Sequence, residues 1–210
     1  MTLWIWASAL LLYGLFLAWY RNWKGPVRGA EIDKLVDAIR AANPEAETRN
    51  EMGALRSFLE ADDGKEFFML NLVRFAPGEV ADPVTGQMKP AREVMEGYTK
   101  MFLPALFARG GHPAVASRKV GPWFDAWGVD ETPEWNLMGY MRYRSRRDLA
   151  ILVADPKFGG AHDFKFAAMP QTGSFPTQPQ IMTLMGPTGY VGLIIALAAA
   201  LVQIAVMAAG

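Results

Sequence analysis

The chain has 210 residues, 21 Lys+Arg balanced by 21 Asp+Glu, 51% hydrophobic residues, two His and no Cys. This composition excludes a disordered, collagen-like or disulfide-stapled chain, removes thiolate metal sites and Cys nucleophiles, and leaves no basic field to attract nucleic acid. No charge precedes Arg21 and none follows Lys165, so the balanced total belongs to a central segment between two apolar ends, the pattern of a membrane protein with one soluble domain.

The first end, Thr2 to Tyr20, is an uncharged run of 19 residues. At helical rise it spans roughly 28 Å, enough for a transmembrane helix. Nothing basic precedes it, and aromatic, basic YRNWK follows it, so it reads as an uncleaved anchor and not a signal peptide. Trp4 and Trp6 at one end, with Trp19, Tyr20 and Trp23 at the other, form the two aromatic belts expected at headgroup level. Residues 21–65 read as a helical linker. Ile32, Leu35, Val36 and Ile39 lie at helical spacing between Glu31 and Ala42, before a stop at Asn43-Pro44. A shorter helix follows over Met52 to Glu60, with Leu55, Phe58 and Leu59 on one side. Both are packing elements without chemistry.

Residues 66–185 read as an α+β domain. EFFMLNLVRF, starting at Glu66, is a short aromatic strand followed by an exposed loop, APGEVADPVTG. Ala91 to Arg109 is helical, with Val94, Tyr98, Phe102 and Leu106 at i+4 steps, Pro104 as a possible kink and Gly110-Gly111 as the stop. His112 to Trp127 reads as a second strand or strand pair, and Glu134 to Ser145 as a third strand. A helix over Arg146 to Ala154 is broken at Asp155-Pro156 and resumes across Ala161 to Met169. A last strand is expected near Gln178 to Met185. The order β-α-β-β-α-β is that of a ferredoxin-like fold, a four-stranded antiparallel sheet with two helices on one face.

The second apolar end, Thr188 to Gly210, follows Gly186-Pro187 and is a second expected transmembrane helix. Gly192, Ala196 and Ala200 fall at i, i+4, i+8, and Gly14 and Ala18 have the same spacing in the first helix. These small-residue stripes suit a helix contact, within the chain or with a larger membrane complex, although Ala is also simply common in such helices. Gln203, strongly polar within this span, would prefer a hydrogen-bond partner to lipid. Arg21, Lys24 and Arg28 follow the first span and no Lys or Arg precedes it. The positive-inside bias therefore predicts a bacterial-type inner-membrane protein with a cytoplasmic domain and both termini on the other side.

MLNLVRF, the Tyr98 helix ending in ARGGHP, WNLMGYMRYRS, RRDLAILVADPKF and AHDFKFAAM together resemble the dimeric α+β barrel superfamily, most closely its small bacterial members of unassigned function. The resemblance covers about Glu66 to Met185. It implies a homodimer in which two sheets pair into a barrel, with a small-molecule pocket between each sheet and its helices. Relatives include cofactor-free monooxygenases, lactone isomerases, chlorite-dismutase-like haem enzymes and haem-degrading enzymes.

Several residues could carry chemistry. Asn71 is an amide among apolar side chains on the first strand and needs partners, either a neighbouring backbone or a ligand. Alternation puts Asn136, Tyr140 and Arg142 on one face of the third strand and Trp135 on the other. Arg142 could stabilise an anionic ligand and Tyr140 could hold it, or both could serve cross-strand and dimer-interface bonding. His162, His112 and Asp125 are weak candidates for acid–base work, since each also reads as a surface or capping residue. Some haem-degrading relatives use an Asn, a Trp and a His, and Asn71, Trp135 and His162 occur on corresponding elements. No spacing fixes a metal, so no cofactor is expected, with haem as the alternative. The aromatic segment Gly121 to Trp127 suits a pocket lid or a membrane-interface segment. No P-loop, G-x-G-x-x-G, G-x-S-x-G or calcium loop occurs. Two functions fit: a membrane-anchored domain that binds, and oxidises or isomerises without a cofactor, a lipophilic small molecule; or a non-catalytic accessory subunit docked on a larger complex through Gly14, Ala18, Gly192, Ala196 and Ala200.

Overall fold

The computed structural model describes residues 2–42, 51–128, 134–158, 160–183 and 185–209. The Asn43-Pro44 helix stop and Gly210, the end of the second expected span, lie outside these residues. In chain order the elements are α1 (Thr2–Tyr20), α2 (Ala30–Ala42), α3 (Glu51–Glu60), β1 (Phe67–Arg74), β2 (Glu79–Ala81), β3 (Met88–Pro90), α4 (Ala91–Ala108), β4 (His112–Arg118), β5 (Leu137–Tyr143), α5 (Arg146–Val153), α6 (Ala161–Ala168), β6 (Gln171–Thr177) and α7 (Pro187–Ala209). They form two compact units, residues 1–23 with 179–210, and residues 24–178.

In the first unit α1 packs on α7, and both helices are long and apolar enough to cross a membrane. Two hydrogen bonds join them: Trp6 Nε1 donates to Gln203 Oε1 at 2.6 Å, and the Tyr13 hydroxyl donates to Thr188 O at 2.9 Å. Gln203, the strongly polar side chain of the apolar α7, thus finds its partner inside the chain. Gly192 lies against Tyr13, and a Cβ there would sit 3.3 Å from the ring, so the small residue sets the close approach. Gly192, Ala196 and Ala200 are partly shielded, whereas Gly14 and Ala18 are exposed.

The second unit is a mixed α+β domain around a four-stranded antiparallel sheet in the order β4-β5-β1-β6. Register pairs Phe67 with Tyr143, Met69 with Met141 and Val73 with Leu137, so these side chains share one face. That face carries the core: Phe67 and Tyr143 pack with Phe102 and Leu106 of α4, Leu152 of α5 and Ala161 of α6, while Val73 packs with Ala91, Val94 and Ala168. The alternate residues Phe68, Leu70, Leu72, Met138 and Tyr140 point to the opposite face and belong to none of these clusters. Gly97 lets α4 approach α6, because a Cβ there would overlap the Phe164 ring.

The linker helices are part of this unit. Ile32, Val36 and Ile39 of α2, with Val27, Met52 and Leu59, bury against Ala150 of α5. Polar contacts fix the start of α5: the Ser145 side chain caps it by accepting from Asp148 N at 3.1 Å, and Arg147 pairs with Glu31 at 2.5 Å. That hydrogen-bonded guanidinium holds the Glu31 carboxyl below its ordinary value.

Two expectations are corrected. The last strand is Gln171–Thr177 and not residues 178–185; β6 is an edge strand, where its Gly173 and Pro176 are tolerated. The apolar-looking stretch after it instead leaves Ile181, Met182 and Met185 exposed. The segment from His112 to Trp127 supplies a single strand ending at Arg118, because Gly121-Pro122 cannot continue the ladder. The loop after β1 also contains a small hairpin, β2–β3, closed through Asp82. The Asp82 carboxylate accepts from Lys89 Nζ at 2.8 Å and from the backbone N–H groups of Val84 and Thr85.

Candidate functional site

The end of the sheet where β1 finishes and β5 begins carries a groove of about 580 Å³. Asn136 organises it. Its side-chain carbonyl accepts from Phe75 N at 3.1 Å, its backbone N–H donates to Val73 O at 2.9 Å, and its backbone carbonyl accepts from Lys119 N at 3.0 Å. The residues flanking β5 are thereby tied to both neighbouring strands before the regular ladder starts. Gly78, at φ +75°, makes the turn that brings the β2–β3 hairpin and the start of α4 to the other side. Its carbonyl accepts from Ala91 N.

The groove is lined by Arg74, Arg92 and Lys119 as cations against one carboxylate, Glu134, over the aromatic surfaces of Phe75 and Trp135. Arg74 pairs with Glu134 at 2.7 Å, both well exposed. The Arg92 guanidinium lies 4.9 Å over the Phe75 ring, and Lys119 Nζ lies 5.1 Å from the Trp123 ring centre. Such stacking fixes the direction of a cation without neutralising it. The N-cap of α4 is Pro90, which offers no side-chain acceptor to the first turn, so the positive end of that helix adds to the field. This arrangement suits a compact anionic group attached to a flat or apolar body.

Of the residues singled out in the sequence, Trp135 and Asn136 line this groove. Asn71 lies on the helix-facing side of β1, and its amide donates to Met69 O at 3.0 Å and toward Gly139 O at 3.4 Å. Tyr140 and Arg142 share the opposite face, so Asn71 does not join them. Arg142 is 2% exposed and bound within the fold: Nε and Nη2 donate to Glu66 Oε2 at 2.9 and 2.5 Å, and Nη1 donates to Gly110 O at 2.5 Å. His162 sits on α6 with its ring 6.2 Å from Tyr98 and 6.1 Å from Phe166. His112 opens β4, Nδ1 lying 2.9 Å from Pro113 O, and Asp125 is on an exposed loop.

Behind the helix-facing side, Tyr98 stacks on Phe102 and Tyr143 on Phe67, with centroids 5.2 Å apart in both pairs. Burial pushes the Tyr98 phenol up to about 12 and raises that of Tyr143 further, so both stay protonated at neutral pH. Among the described residues no group of three or more His, Cys, Asp or Glu is placed to hold a metal ion. Arg74, Phe75, Arg92 and Lys119 escaped the sequence reading because they lie in separate segments. One local signal exists, in KPAR: a basic residue in the first turn of a helix, where acids are the usual choice.

No protein-family model matches the chain, and no curated protein matches it in sequence. Among solved structures it is similar to RPA0582, described as a protein of unknown function from Rhodopseudomonas palustris, at 21% identity and a TM-score of 0.50, over 62% of this chain and 92% of that one. The structure of methylated RPA0582 gives 20% identity and a TM-score of 0.49, over 63% and 91%. At this identity the likeness speaks to the fold alone.

Proposed function

We propose that this chain is a membrane-anchored protein whose domain binds a lipophilic, anionic small molecule in the groove between Arg74, Arg92, Lys119 and Trp135. The observation that carries the reading is the imbalance of that groove, three cations against one carboxylate over aromatic surfaces. α1 and α7 form the anchor, and Arg21, Lys24 and Arg28 after α1 favour a cytoplasmic domain with both termini on the far side. The domain is read as ferredoxin-like, of the dimeric α+β barrel type. In support, the four sheet strands, counted in chain order, lie 2-3-1-4 across the sheet, all antiparallel. Pairing of two copies through the sheet belongs to this reading by the same resemblance; Phe68 and Leu70, on the face opposite the helices, are already buried within the chain. The proposed role of the groove is binding: His162 and Asp125 are not among its lining residues.

A second reading, an accessory subunit of a larger membrane complex, is favoured by the exposed Gly14 and Ala18 face of α1 and by the internal bonding of Asn71, Asn136 and Arg142. Native mass spectrometry of the gently extracted protein separates the two. A homodimer retaining an anionic small molecule, absent from the Arg92→Gln/Lys119→Gln variant, is the expected result. A stoichiometric foreign subunit with an empty domain would establish the second reading instead.

A further inference from the structure

The segment after β4 carries an unusual surface. Within eight residues, Val120 is 84% exposed, Trp123 48%, Phe124 94% and Trp127 84%. The loop contains one acid, Asp125, also exposed, and is preceded by exposed Arg118 and Lys119. Lys119 reaches back over the Trp123 ring, which holds this Trp at the basic flank of the loop. A soluble surface scatters large apolar groups singly, whereas here four of them stand together without burial in the domain's core clusters.

We infer that residues 120–127 form an interfacial membrane contact, dipping Phe124 and Trp127 into the headgroup and acyl boundary while Arg118 and Lys119 meet anionic headgroups. The side-chain choice favours lipid over a protein partner. Two Trp and a Phe flanked by cations are the composition of interfacial anchors, and Trp prefers the headgroup level to the bilayer interior. The occupant is available, because the same chain carries two helices long and apolar enough to cross a membrane. Lys119 also lines the groove, so the contact would bring its mouth to the lipid surface, a direct route for a ligand that partitions into the bilayer.

This inference rests on the anchor reading above, and one experiment separates their failures. The chain has no Cys, so Phe124→Cys, Trp127→Cys and, as a control on the exposed side of α4, Lys100→Cys each give a single labelling site without removing another. The full-length variants are labelled with bimane and reconstituted into phosphatidylethanolamine–phosphatidylglycerol vesicles with or without brominated lipid. Quenching at 124 and 127 at least roughly twice that at 100 is expected for groups held about 5–10 Å into the boundary. Equal quenching at all three sites in chains that float with the vesicles overturns the loop contact and leaves the anchor intact. A blue-shifted but unquenched label at 124 also overturns it, since protein would then cover the loop. Chains extracted from the vesicles by carbonate overturn the anchor and the loop contact together. Because Phe124 is almost fully exposed, its replacement leaves the fold's melting temperature unchanged, and loss of folding does not confound the result.

Discussion

Arg142 and Arg92 stand toward opposite ends of one sheet, and their surroundings differ in kind. At the first end the guanidinium is buried, with Glu66 and the Gly110 carbonyl as acceptors, on the sheet face opposite the aromatic core of Phe67, Tyr143 and Phe102. At the second end Arg92 lies on a ring face beside two further cations, along an open groove. Charge with internal partners specifies architecture; charge held in place without neutralisation is available to a ligand. The contrast teaches that an Arg on a strand is no pointer to a site until its partners are known.

The largest expected effect breaks the closed end. Arg142→Ala leaves the buried Gly110 carbonyl without its donor and empties a packed volume, so it destabilises the domain by about 3 kcal/mol. Equilibrium denaturation of the full chain measures this. Glu66→Gln costs less, about 1 kcal/mol, because that side chain is half exposed and its charge is solvated. Equal losses from the two substitutions would mean that the ion pair, and not the Gly110 bond and packing, secures this end.

The seam between α4 and α6, which bounds the core under both ends, responds next. Gly97→Ala forces its new methyl into the Phe164 ring, an overpacking expected to cost about 1–3 kcal/mol. Phe164→Ala is destabilising alone, yet it makes room for that methyl, so the double variant is expected to be more stable than the sum of the single effects. A thermal-melt double-mutant cycle reads the coupling, and strict additivity would rule out the proposed clash.

What the sequence made legible follows the same division. The core-facing positions Ile32, Val36 and Ile39 of α2 announced themselves by period, whereas β1, apolar at Phe67, Met69 and Val73 and equally at Phe68, Leu70 and Leu72, was legible as a strand but not as to which face meets the helices. Both apolar end helices were legible by length and lack of charge, and the need of Gln203 for a partner was readable although Trp6 was not. The groove was mostly illegible, because Arg74, Arg92, Lys119 and Trp135 meet only through register and the Asn136 clamp. β6 was misplaced by several residues because an edge strand relaxes the rules against Gly and Pro. Alternation along β5 separated Trp135 from Asn136, but both precede the regular ladder, which begins at Leu137, and strand periodicity does not govern them.

A smaller, local effect tests the hairpin beside the groove. Lys89, then the N–H groups of Thr85 and Val84, holds the Asp82 carboxyl well below its ordinary value of 3.8. A depressed folded value means stability that is fully present above pH 3.8 and lost as pH falls through the folded value. The protection of the Val84 and Thr85 amides, exchange read by NMR relative to the intrinsic rate at each pH, is therefore expected to fall only in strong acid. Asp82→Asn is expected to show faster exchange already at neutral pH and to abolish the acid dependence.

The smallest expected effect on stability is the one that sharpens the comparison most. Arg92→Gln removes a guanidinium whose visible partner is the Phe75 ring at 4.9 Å, and an exposed contact of that kind contributes about 0.5 kcal/mol. Unfolding should therefore hardly change, in contrast to Arg142→Ala. The groove's field should change substantially, since one of three cations disappears while Glu134 remains. Retention of an anionic ligand should weaken in Arg92→Gln and recover in Arg92→Lys in proportion to charge, or stay weak if the ligand is held by the fork of two parallel guanidinium bonds. A destabilisation by Arg92→Gln comparable with that of Arg142→Ala would place Arg92 among the structural charges, and the groove would lose its claim to be a binding site.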